Sequence, residues 1–180
     1  MLVGCGALAV LLVLGASFCS VATTGSIPEK PEDTAKADAT AFYQKVIRAG
    51  TDCDKAFTAA SGEMAKGDAV RSYRAVEVAE SVCLPVGSDI RAIDVPSSVG
   101  KSVHEKLTEA REECAYVFTN KWSAMKDVKK VINGDGGVAE MAGAQGTMEE
   151  IQSGSIRCVA GLMGSLTELG VDLNKLPKID

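Results

Sequence analysis

The six cysteines, Cys5, Cys19, Cys53, Cys83, Cys114 and Cys158, are the residues of this chain best equipped for chemistry. A thiol can bind a metal, act as a nucleophile or form a disulfide, and spacing helps to separate these uses. No two of them stand at the short C-x-x-C or C-x-x-x-x-C distance of zinc ligands, so no metal site is expected. Cys5 and Cys19 lie in an apolar front end that reads as an export signal. Its removal would leave four cysteines, an even set that in an exported chain reads as disulfides with three possible connectivities.

Helix geometry chooses among the three. Cys53 stands 14 residues before Gly67 and Cys83 stands 16 after it. In a helical hairpin turning at Gly67 the two sit at nearly one level, offset by ~3 Å at 1.5 Å per residue. Cys114 stands 21 residues before Asp135 and Cys158 stands 23 after it, which repeats the small offset. Each cysteine also falls on the apolar stripe of its segment. The expected pairs are Cys53–Cys83 and Cys114–Cys158. The alternative is four buried free thiols, a common environment for cysteine.

The other reactive groups form no constellation. His104 is the lone histidine. It has no C-x-x-C-H haem site, no Glu-x-x-His pair and no G-x-S-x-G nucleophile elbow around it, and it reads as a boundary or solvent-facing residue. Asn133-Gly134-Asp135-Gly136-Gly137 fails as a calcium loop. With Gly136 at the sixth position, Val131 and Ala142 would stand where carboxylates are needed. As a phosphate loop it lacks Gly-Lys-Ser/Thr. It reads as a turn.

Glu112-Glu113 and Glu149-Glu150 point about 100° apart on a helix and read as solvated faces. Lys121, Lys126, Lys129 and Lys130 gather near the end of a helical segment, where the helix dipole favours cations. They are read first as capping charge and second as a patch for an anionic partner. Phe118 and Trp122 read as core, and Tyr116 as exposed. No catalytic, cofactor-binding or metal-binding residue is assigned.

Helical periodicity must position these groups. Ala39, Tyr43, Val46, Gly50, Cys53, Phe57, Ala60 and Met64 recur at spacings of three and four, which predicts a helix over 34–66. Asp68 is the expected N-cap of a second helix, whose stripe is Ala69, Tyr73, Val76, Ala79 and Cys83 and which Pro85 ends. Residues 85–96 read as an irregular crossover, with Ile90, Ile93 and Val95 against the core. Ser97 or Ser98 is the expected cap of a third helix carrying Val103, Leu107, Ala110, Cys114 and Val117. A fourth helix carries Met141, Ala144, Met148, Ile151, Ser155, Cys158 and Leu162 to Gly170. Its Gly143, Gly146, Gly154, Gly161 and Gly164 make it intrinsically weak. No segment alternates like a strand. The expected fold is all-α: an antiparallel four-helix bundle of two disulfide-stapled hairpins over 34–176, with tight seams of Ala, Gly and Ser.

Before Glu29 the chain runs 28 residues without a charged side chain. Ala7–Leu14 has the length of a signal-peptide core, and Ser20-Val21-Ala22 offers small residues at a cleavage site. Residues 1–22 read as an export signal, 23–33 as a flexible leader and 177–180 as a tail. Anchorage through an uncleaved 1–22, or lipidation at Cys5 or Cys19, remain as alternatives.

The composition narrows the function classes. The 180 residues are 46% hydrophobic, too apolar for disorder throughout, and a net charge of -5 gives no electrostatic case for nucleic acid. The expectation is an exported, periplasmic or extracellular, non-enzymatic protein. It would bind a protein or envelope partner, with no membrane span after cleavage and no cofactor. A secreted enzyme inhibitor, and a small-ligand carrier or enzyme with an unrecognised site, stand as alternatives.

Overall fold

The computed structural model describes residues 31–176. The expected export signal, most of the leader and the tail lie outside the described residues. Four long helices dominate: α1 (Pro31–Ala65), α2 (Ala69–Cys83), α4 (Lys101–Ile132) and α5 (Val138–Glu168). A short helix, α3 (Val86–Arg91), and a 3-10 turn, Leu173–Lys175, complete them. No strand occurs among the described residues. The all-α class predicted by the periodicity is therefore the class observed.

Three boundaries differ from the sequence reading, each for a local reason. Helix α1 begins at Pro31, so residues 31–33 belong to it and not to the leader. Proline suits a first helical turn because its missing N–H would have had no partner there. Glu32 and Asp33 add negative charge at the positive end of the dipole. Residues 86–91, read as irregular, are helical. Pro85 holds a helix-compatible φ of -79° at the entry, and Ser88 Oγ donates to its carbonyl at 2.7 Å.

The third correction concerns the cap of α4. Neither Ser97 nor Ser98 caps it; Gly100 occupies that position without a side-chain bond. Ser98 Oγ instead donates to Asp38 Oδ2 on α1 at 2.6 Å.

The other helix ends follow their residues. Asp68 accepts from the Val70 and Arg71 amides at 3.1 and 3.0 Å. Gly67, Gly134 and Gly170 end the helices before them at φ of 76°, 79° and 72°, where a Cβ would be strained. Gly137 precedes α5, and its amide donates to Glu140 Oε2 at 2.8 Å.

One core cluster draws on α1, α2, α3, α4 and α5 and contains both cysteine pairs, with Phe42, Ile90, Leu107, Phe118, Leu162 and Leu166 among its members. Phe42 lies one position away from the expected Tyr43, which is only half-buried. A second cluster joins Ala60, Val76, Ala79 and Met125 from α1, α2 and α4. Val117, Ala124 and Ile151 form a third between α4 and α5.

Helices α4 and α5 approach closely through glycine. A Cβ on Gly154 would stand 2.8 Å from Val117, and one on Gly161 would stand 2.9 Å from the Ala110 methyl. Helix α3 lies against α4 in the same way, since a Cβ on Gly87 would meet Thr119 Oγ1 at 2.5 Å.

Candidate functional site

The four assigned cysteines form two bridges in the structure, Cys53–Cys83 and Cys114–Cys158, with Cα separations of 4.7 and 4.8 Å. The first joins α1 to α2 and the second joins α4 to α5. Both are covalent supports, and the surfaces around them carry the remaining chemistry.

An open groove of about 910 Å³ lies between α4 and α5, with Arg91 of α3 at its edge. Ala110, Ala160, Gly161 and Gly164 make a floor of small residues, and charged side chains make the walls. Most of those charges are paired within the molecule. Arg91 Nε meets Glu112 at 3.1 Å, Arg157 Nε meets Glu113 at 3.0 Å, and Lys106 pairs with Glu168. Tyr116 donates to Glu150 Oε2 at 2.9 Å beside it. Ser165 is buried there and donates to the Gly161 carbonyl at 2.9 Å. The hydroxyls of Thr108, Tyr116 and Ser165 donate to the His104 carbonyl, the Glu150 carboxylate and the Gly161 carbonyl.

A second groove, of about 340 Å³, lies beside the turns that join α1 to α2 and α4 to α5. It takes Met64 from α1, Ala69 and Ser72 from α2, Val128, Val131 and Ile132 from α4, and Met141 and Ala144 from α5. Ser72 supplies the one hydroxyl among these side chains. Met141, expected on the inner stripe, is instead 53% exposed at the rim. Val70 and Val138, which flank the groove in sequence, are 64% and 88% exposed. Trp122 lines neither groove; it is half-buried beneath the Lys126 ammonium, 5.1 Å from its ring.

The basic run near the end of α4 does not form one patch. Lys121 is buried, paired with Asp54 of α1, and its ammonium lies 4.6 Å from the Phe118 ring centroid and 5.6 Å from that of Phe57. Lys129 meets Glu80 of α2 at 2.9 Å and Glu77 at 3.4 Å; the hydrogen bond from its ammonium to Glu80 raises its pKa. Lys130 pairs with Asp127 at 3.0 Å. The run therefore acts through inter-helix ion pairs as well as the dipole of the last turn. Sequence reasoning missed the burial of Lys121. The available signal was its place seven residues after Cys114, on the stripe that also carries Phe118.

The acidic pairs separate as their 100° spacing requires. Glu112 meets Arg91 and Arg111, while Glu113 reaches Arg157. His104 is half-buried, and its Nδ1 lies 3.2 Å from the Pro96 carbonyl oxygen, which fixes an Nδ1–H donor. It ties the segment before α4 to the helix. Glu140 has its pKa lowered by the Gly137 amide. No cluster of metal-ligating side chains occurs among the described residues, and no described helix is long and apolar enough to cross a membrane.

Compared with family models, curated proteins and solved structures, the chain finds no match. The functional reading therefore rests on its own residues.

Proposed function

We propose that this chain is an exported, non-enzymatic binding protein. Its fold would be an antiparallel four-helix bundle of two disulfide-stapled hairpins, and its partner a protein or another component of the cell envelope. The observation that carries the reading is the apolar groove at the turn end, with Met141 exposed at its rim and Val70 and Val138 exposed near its lining residues in sequence. Export is supported by the apolar leader and by the two bridges, which persist in oxidising compartments. The bundle reading is supported by core clusters shared among the long helices and by the short turns between bridged partners.

A second reading, a carrier of small apolar ligands, draws on the groove's volume, which falls within the ~300–1,000 Å³ of ligand cavities. One pair of measurements separates the two. The oxidised domain and its Val131→Asp variant are immobilised and exposed to envelope extract, and a fluorescent naphthylamine probe is titrated into both. Partner retention lost in the variant, with weak probe uptake by either protein, supports the binding reading. Strong, saturable probe uptake lost in the variant supports the carrier. Equal behaviour of the two proteins in both assays rejects this groove as the functional surface.

A further inference from the structure

We infer that the two disulfides are not equivalent: Cys114–Cys158 is a redox-sensitive latch that a dithiol opens through the Lys121 cavity, while Cys53–Cys83 is a permanent staple. The inference is independent of the partner-binding reading, because it concerns the seam between α1 and α5.

Three observations carry it. Access differs first. Cys53, Cys83 and Cys114 are all 0% exposed, whereas Cys158 is 6% exposed and lines a cavity of about 80 Å³. Exposed Val159 and Asp54 also line that cavity, so its wall joins solvent-facing residues to one cysteine of one bridge. The second observation is charge. The buried Lys121 ammonium lines the same cavity. Lys121 stands seven residues after Cys114, on the same face of α4, and helical side chains lean back toward the N-terminus. A cation there attracts an incoming thiolate. Asp54 partly neutralises it.

The third observation is what the bridge restrains. Helix α5 contains five glycines. Its ion pairs to α4, Arg157–Glu113 and Lys106–Glu168, are exposed and add little. Without the bridge, a helix of such low propensity is held only by its packing against the core, through Ile151, Leu162 and Leu166. Its departure would uncover Ile151, Leu162 and Leu166.

The chemistry balances as a thiol–disulfide exchange. A thiolate of the dithiol attacks Cys158 Sγ. The bond to Cys114 breaks, and its electron pair leaves on Cys114 Sγ, which takes up a proton. The second thiolate of the reductant then attacks the mixed disulfide and releases Cys158, which is protonated in turn. The protein gains two electrons and two protons, and the reductant leaves as its cyclic disulfide.

Graded reduction of the exported, oxidised protein with dithiothreitol tests this, with alkylation and peptide mapping at each dose. Alkylated Cys114 and Cys158 are expected at doses where Cys53–Cys83 is still bridged, with fast amide exchange confined to 138–168. Opening of Cys53–Cys83 first, or of both bridges together, overturns the inference. Two variants test the cation in opposite directions. Lys121→Met should slow opening of Cys114–Cys158, and Asp54→Asn, which frees the ammonium, should speed it, each on the order of threefold. Asp54→Asn keeps the test decisive if Lys121→Met misfolds. An unchanged opening rate in a folded variant overturns the role of Lys121.

Discussion

The helix pair α1/α2 and the helix pair α4/α5 carry the same staple on different supports. Their bridges hold Cα atoms at 4.7 and 4.8 Å and span 30 and 44 residues. The loop-entropy relation gives about 3.6 kcal/mol for the shorter span and about 4.0 for the longer, so the covalent contribution is nearly equal. The difference lies in the helices. Helix α2 starts on an Asp68 cap and carries no glycine, while α5 carries five. Two of these, Gly154 and Gly161, face α4 where a Cβ would collide. Gly143, Gly146 and Gly164 face open space and return no packing for their conformational cost. Both helices rest on the core, but α2 adds favourable local interactions to it, whereas α5 has the weaker intrinsic propensity and leans more on its packing and its bridge.

The largest expected effect comes from removing one bridge at a time. Cys114→Ser with Cys158→Ser should lower stability by roughly 4 kcal/mol and free residues 138–168 for rapid amide exchange. Cys53→Ser with Cys83→Ser should cost a similar amount while leaving α2 protected up to global unfolding. Thermal melts and hydrogen exchange on both variants decide it. Equal protection of α2 and α5 in their respective variants would dissolve the contrast.

The glycines sharpen it further. Gly161→Ala should destabilise by ~1–3 kcal/mol, because its methyl would press on Ala110. Gly164→Ala, three residues on but facing open space, should stabilise by up to ~1 kcal/mol. Urea melts of the two variants must move in opposite directions. Asp68→Ala should cost about 1 kcal/mol by orphaning the Val70 and Arg71 amides, and the loss should fall on the first turn of α2.

The smallest effect is a pH dependence at the start of α5. The Gly137 amide lowers the pKa of Glu140 below its usual value. A depressed carboxylate contributes stability that is fully present above its unfolded pKa and is lost as pH falls through its folded pKa. Exchange protection of the first turn of α5 should therefore decline on acidification into that range. Glu140→Gln should flatten the profile, and an unchanged profile would show that this cap does not hold α5.

Much of this contrast is legible in the sequence. The heptad-like stripes, Gly67, Asp68 and the 133–137 turn place four long helices within a few residues. The register of Cys53 against Cys83 and of Cys114 against Cys158 needs only counting, because the rise per residue is constant. The weakness of α5 is likewise a property of composition. The misread stretches were 31–33 and 86–91. At 86–91 Pro85 was taken only as a breaker, and at 31–33 the composition was taken as that of a flexible leader, although proline also begins helices. The missed burial of Lys121 came from reading its charge before its stripe.

What sequence alone determined is everything that a single helix decides for itself: propensity, caps, the phase of the apolar face and the level of each cysteine. Only tertiary structure decided which glycines are filled by a neighbour and which stand open, that Ser98 serves Asp38 and not its own helix, and that Lys121 is enclosed by Phe57, Phe118 and Asp54. The physical reason is range. Backbone hydrogen bonds and caps act within about four residues, whereas close packing and ion pairing join side chains brought together from distant parts of the chain.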